Sequence, residues 1–161
     1  MKTAICPGSF DPVTRGHLNV FRRASAMFDR VTVLVMQNAG KRSVFTHEER
    51  CELIRACIGD LPNVTVDSFA GMTTDYTAAH GIDAIVKGVR NATDFDYEVN
   101  IASVLRQYGG PDTVLLPCDP TLAHVSTSTG LQLFALGQDV SGFFPRTVLD
   151  ALEARRQQKL I

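Results

Sequence analysis

At 161 residues, with 45% apolar and 20% charged side chains, the chain has the composition of an ordinary globular domain, not of a disordered or fibrous one. Its formal charge of −1 gives no global basic field for nucleic acid or an anionic membrane, so a polyanionic ligand requires local cations. No secretory pattern opens the chain and no apolar run approaches the roughly 18 residues of a membrane span, so a soluble protein is expected.

Taken in order, Thr3-Ala4-Ile5-Cys6 reads as a buried strand, and Leu18, Phe21, Ala24 and Phe28 recur at helical spacing after it. Arg30–Met36 is a second strand. A capping box, Thr46 with Glu49 three residues on, opens a helix whose apolar face carries Leu53, Ile54, Cys57, Ile58 and Leu61. Val64–Val66 is a third strand, and a short helix through Asp75–Ala79 stops at Gly81. Asp83–Val86 is a fourth strand, followed by a helix from about Asp94 to Tyr108. Thr113–Leu116 is a fifth strand, a helix runs from about Ser128 to Leu136, and a last helix begins after Pro145. Near-continuous apolar strands separated by amphipathic helices require crossover connections and a parallel sheet covered on both faces. The expectation is one doubly wound α/β domain, residues 1–161, around a five-stranded parallel sheet. Cys6, Cys51, Cys57 and Cys118 show no CxxC or CxxH spacing. Free thiols in a reducing cytosol are the simpler reading, ahead of disulfides or zinc.

In such sheets ligands bind beyond the carboxyl ends of the strands, where strand order reverses. The chemistry-bearing residues follow the strands. Gly8 to His17 follows the first, Lys41 the second, Met72-Thr73 the third and Lys87 to Arg90 the fourth; Ser126 to Ser128 follow the fifth after a longer loop. All therefore fall on one rim. In the first turn, Gly8 lets backbone N–H groups approach a phosphate and the helix N-terminus adds partial positive charge. His17 stands at the mouth of that helix with a ring donor, as an anion ligand or as a plain cap. Lys87 ends an apolar run beside Gly88, where an anion explains a cation better than packing does. Asp11 reads as a structural turn residue, Thr14 as either structural or functional. Ser126, Thr127 and Ser128 are more hydroxyls than a helix cap needs.

The run Gly8-Ser9-Phe10-Asp11-Pro12-x-Thr14-x-Gly16-His17 resembles the (H/T)xGH signature of nucleotidyltransferases, and with Thr14 at its first position it is similar to the bacterial phosphopantetheine adenylyltransferase family. Phe45-Thr46-x-Glu48-Glu49-Arg50, Lys87-Gly88-Val89-Arg90 through Glu98, and Ser126-Thr127-Ser128 stand in that family's order and spacing. The resemblance implies a Rossmann-like nucleotidyltransferase fold and attack of the 4′-phosphate of phosphopantetheine on the α-phosphorus of ATP. It implies catalytic roles for His17, Lys41 and Lys87, and an acceptor site of Ser9, Lys41, Thr73 and Lys87. The ATP site it implies comprises Ser9, Phe10, His17, Gly88, Val89, Arg90 and Glu98, with Leu122, Ala123, His124, Val125, Ser126, Thr127 and Ser128. It further implies Mg²⁺ bound with the ATP phosphates, no metal held by side chains alone, a cytoplasmic homohexamer, feedback inhibition by coenzyme A, and neither nucleic-acid nor membrane partners. Leu105, Leu122, His124 and the Met72-Thr73 pair depart from residues common in that family, which bears on the pantetheine pocket and the adenine wall. The alternatives are another adenylyl- or cytidylyltransferase, in which His is usual at the Thr14 position, or a nucleotide-binding regulator that has lost turnover.

Overall fold

Apolar β-branched runs alternate with amphipathic segments, and the computed structural model, which describes residues 1–37 and 43–158, pairs them accordingly. The strands are β1 (Thr3–Gly8), β2 (Arg30–Met36), β3 (Val64–Phe69), β4 (Ala84–Val89) and β5 (Asp112–Pro117). The helices between and after them are α1 (Arg15–Met27), α2 (His47–Cys57), α3 (Thr73–His80), α4 (Ala92–Gln107), α5 (Thr127–Ala135) and α6 (Arg146–Gln157). A single 3₁₀ turn, Pro120–Leu122, lies on the way from β5 to α5.

The sheet order is β3-β2-β1-β4-β5 and every neighbouring pair is parallel. The connections therefore run outward from β1 to β3, then return to β4 and run outward again. The crevice above β1 and β4 is the place where strand order reverses.

Alternation along each strand supplies both faces of the sheet. Ala4 and Cys6 of β1, with Val31, Val33 and Val35 of β2 and Val86 of β4, pack on one side with Phe21, Ile54, Phe134, Phe144, Val148 and Leu152 from α1, α2, α5, the α5–α6 connection and α6. Ile5, Leu34 and Ile85 point the other way and pack with Tyr76 of α3 and Leu105 of α4. Four cysteines are free thiols, and burial pushes that of Cys6 up to about 12, which leaves it unreactive at neutral pH.

Several element boundaries differ from the sequence reading: α2 ends at Cys57, short of Ile58 and Leu61, β3 runs on to Phe69, and four more shifts lie at the site. β1 and β4 continue to Gly8 and Val89, so the first glycine of the turn and the Lys87-Gly88-Val89 run are themselves ladder residues. α4 begins at Ala92 because Asn91, not Asp94, is its cap: the Asn91 side chain accepts from Asp94 N–H at 2.9 Å. α5 begins at Thr127, capped by Ser126, which accepts from Thr129 N–H at 3.2 Å. The capping box of α2 forms as expected, and Gly81 ends α3 in the left-handed region at φ 60°.

Candidate active site

The turn after β1 is built around Phe10, a buried residue at φ 45°. Its ring fills the space where a side chain on Gly8 would stand, 2.7 Å from that Cβ position, which is why Gly8 bears none. The same ring meets His17 edge-on, with centroids 5.0 Å apart and planes at 84°, and Phe21 at 5.3 Å. His17 is thus oriented from below by an aromatic face and from the side by Thr14. Thr14 is the buried N-cap of α1; its hydroxyl accepts His17 N–H at 3.3 Å, and its own N–H donates to His17 Nδ1 at 3.1 Å. With Nδ1 an acceptor, the neutral ring carries its proton on Nε2. Burial, then the positive charges of Arg90 and Lys87, push the His17 pKa down to about 4. At neutral pH the ring is therefore an uncharged donor through Nε2–H.

The opposite wall comes from β4, α4 and α5. Lys87 Nζ lies 3.2 Å from Glu98 Oε1 and donates to the Pro7 carbonyl at 3.3 Å, so β4 and α4 aim the ammonium across the end of β1. Gly88 has no room for a side chain, since a Cβ would stand 2.6 Å from Val20 Cγ2 of α1. Arg90 is braced by Asp94, its Nε 2.8 Å from Oδ2, and by the Val125 carbonyl at 3.3 Å. The three hydroxyl residues divide their work. Ser126 caps α5, Thr127 donates to the Pro12 carbonyl at 3.2 Å, and Ser128 stands exposed in the first turn of α5.

These walls enclose a cleft of about 720 Å³. Ser9, Phe10, His17, Lys87, Gly88, Arg90, Glu98, Leu122, Val125, Ser126, Thr127 and Ser128 line it, so residues from four separate segments meet there. Thr73 lines a smaller adjoining cleft of about 260 Å³ with Met36, Ile101, Ala102, Leu105 and Thr113, and the two share Pro7, Gly8, Ser9, Lys87 and Glu98. Val89, Ala123 and His124 line neither. Val89 is buried in β4, and the His124 ring packs edge-on against Phe143 at 5.4 Å. Lys41 lies outside the described residues. Asp11, Thr14, Arg50, Asp94, Tyr97 and Cys118 also line the main cleft, beyond the set named from sequence as binding residues. The charged sequence that opens α2 carries no mark that Arg50 turns inward.

Among the described residues no three His, Cys, Asp or Glu side chains converge as metal ligands. Amides, hydroxyls, an imidazole and the Lys87 and Arg90 cations face the cleft, a set that suits phosphate oxygens, while the carboxylates of its lining, Asp11, Asp94 and Glu98, are paired with Arg50, Arg90 and Lys87.

Residues 5–139 match the cytidylyltransferase-like family, so fold and sequence together make the chain a nucleotidyltransferase of that family. Two curated relatives narrow this further. The phosphopantetheine adenylyltransferase of Corynebacterium efficiens is 46% identical over 157 residues, 97% of this chain and 99% of that protein. That of Corynebacterium diphtheriae is 46% identical over 153 residues, 94% and 96% of the two chains. The chain belongs to the phosphopantetheine adenylyltransferase family. Solved structures agree on the fold. A protein from Vibrio parahaemolyticus assigned as a nicotinate-nucleotide adenylyltransferase superposes with a TM-score of 0.70 at 22% identity, covering 96% of this chain and 94% of its own. A lipopolysaccharide core biosynthesis protein from Thermoplasma volcanium gives 0.54 at 20% identity, covering 74% and 97%.

Proposed function

We propose that the chain, acting as one nucleotidyltransferase domain over residues 1–161, transfers the adenylyl group of ATP to 4′-phosphopantetheine, giving dephospho-CoA and pyrophosphate. The observation that carries this reading is the convergence of Ser9, His17, Lys87, Arg90, Ser126 and Ser128 on one cleft above the reversal in strand order. The family assignment supplies the substrates.

An oxygen of the acceptor phosphate attacks the α-phosphorus in line as the bond to the β-phosphate breaks, and pyrophosphate leaves with the electron pair. The attacking group is already an anion, so no side chain is needed as nucleophile or base. His17 Nε2–H and Lys87 Nζ stabilise charge on the non-bridging α-oxygens. Arg90, Ser126, Thr127, Ser128 and the α5 N-terminus hold the β- and γ-phosphates. Ser9 and Lys41 hold the acceptor phosphate, and the Thr73 cleft takes the pantetheine arm. Glu98 keeps Lys87 aimed until phosphate arrives. Prior orientation contributes up to about 7–11 kcal/mol in favourable cases, and one fixed donor at a developing charge about 2.7–4 kcal/mol. Those magnitudes suffice without a covalent step. Mg²⁺, entering with ATP, supplies further neutralisation of phosphate oxygens.

Coenzyme A shares the outline of the product and is proposed to inhibit by occupying the joined clefts. Self-association is supported by α4, which has no buried residue and exposes Phe95, Val99 and Val104; the homohexamer proposed for it follows from the family resemblance, and light scattering that returned only the 17.6 kDa chain mass would remove it. Free thiols and the lack of a membrane-crossing helix among the described residues agree with a cytoplasmic setting.

The test is a coupled pyrophosphate assay with ATP and either phosphopantetheine or nicotinamide mononucleotide. Release with phosphopantetheine alone is expected. Release with the mononucleotide instead would assign a different acceptor, and ATP binding without release would assign a regulator.

A further inference from the structure

The lining of the main cleft includes a charge that the proposed chemistry does not use. Arg50 of α2 is buried, 3% exposed, with its guanidinium spent on backbone and one carboxylate. Nε donates to the Phe45 carbonyl at 2.9 Å and Nη1 to the Ser9 carbonyl at 3.2 Å, while Nε lies 3.3 Å from Asp11 Oδ1. The Asp11 carboxylate is saturated from the far side: Oδ2 accepts Val44 N–H and Oδ1 accepts Phe45 N–H, each at 2.9 Å. Two stretches of chain distant in sequence are thereby riveted together. One is the turn that carries Ser9; the other begins three residues after Lys41. The outer side of Phe45 is covered by Arg155 of α6, whose guanidinium carbon lies 5.2 Å from the ring centre and which also pairs with Glu49.

We infer that Asp11 and Arg50 are positioning residues for the acceptor phosphate, fixing the Ser9 turn against the chain that leads back to Lys41. The inference rests on the acceptor reading proposed above. Stability alone is a poor reason for such a pair, since a buried ion pair replaced by apolar groups of similar volume is often no less stable. What only a planar fork supplies is simultaneous registry with two carbonyls on different segments. The Asp11–Arg50 pair bonds to Ser9, Val44 and Phe45, at the acceptor side of the cleft, and not to Arg90, Ser126 or Ser128 at the pyrophosphate end.

The experiment compares the full wild-type chain with Asp11→Asn and Arg50→Lys, reading steady-state constants for phosphopantetheine, ATP affinity by calorimetry, and thermal midpoint. Asn turns an N–H toward an amide that needs an acceptor; Lys keeps the charge but loses the fork. Both are expected to raise KM for phosphopantetheine on the order of tenfold and to lower kcat, with Kd for ATP changed less than threefold. If a single variant does not fold, Asp11→Asn with Arg50→Met leaves no unpaired ion buried and is read the same way. Folded variants with unchanged acceptor constants, or with ATP affinity weakened by the same factor as KM, overturn the positioning role while the wild-type activity stands. A wild-type chain that releases no pyrophosphate with phosphopantetheine overturns this inference and the acceptor reading together.

Discussion

His17 Nδ1 accepts the Thr14 N–H and closes the capping box of α1, which leaves Nε2–H as the donor for a ligand. Structural and chemical roles therefore share one ring, and they separate by substitution. His17→Ala is expected to lose about 1 kcal/mol of stability with the cap and on the order of 10²–10³-fold in kcat with the donor. His17→Gln, whose amide oxygen can reach the Thr14 N–H, is expected to recover the stability and much less of the rate; urea midpoints beside turnover numbers decide it. The pH dependence has a definite sign. The ring titrates at about 4 in the fold and near 6.5 when free, so the unfolded chain takes up the proton first as pH falls. The wild type should lose stability between pH 6.5 and 4, and the loss should shrink in His17→Gln. At this scale the sequence located His17 at a helix mouth and Asp11 in a turn, because capping and turn chemistry are local. It did not locate the burial of Arg50, because an arginine within a charged helical stretch looks the same whether it faces water or two carbonyls across the fold.

Close approach between elements rests on absent side chains. α1 lies so near β4 that a methyl group at Gly88 would meet Val20 Cγ2 at 2.6 Å, and Val20, branched at Cβ, has few rotamers with which to yield. Gly88→Ala is expected to cost about 1–3 kcal/mol by forcing the two apart, with Tm lowered accordingly. An unchanged Tm would mean that the contact relaxes freely. Every strand and helix named from the sequence exists, since apolar runs and helical periodicity report burial directly. Four of the boundaries that shifted lie at the site. β1 and β4 extend through their glycines because ladder pairing with β2 and β5 continues to Gly8 and Val89, and pairing with a distant strand leaves no local mark. α4 starts at Ala92, ahead of Asp94, because the Asn91 side chain caps it, and Asp94 pairs with Arg90.

For the whole molecule, the order β3-β2-β1-β4-β5 converts motifs scattered from Ser9 to Ser128 into one cleft. Strand–helix alternation foretold the common rim. It did not foretell which rim residues face inward: Val89 is turned into the sheet and His124 toward Phe143. Among its described residues the assembled cleft offers fixed donors and cations, and the proposed chemistry needs no bond between a side chain and phosphorus. The most direct measurement is therefore stereochemical. With ATP made chiral at the α-phosphorus by sulfur, direct attack by the acceptor inverts that centre in the dephospho-CoA analogue, and inversion is the expected result. Retention would require two successive displacements through a phosphorus–enzyme bond, and would contradict catalysis by alignment alone.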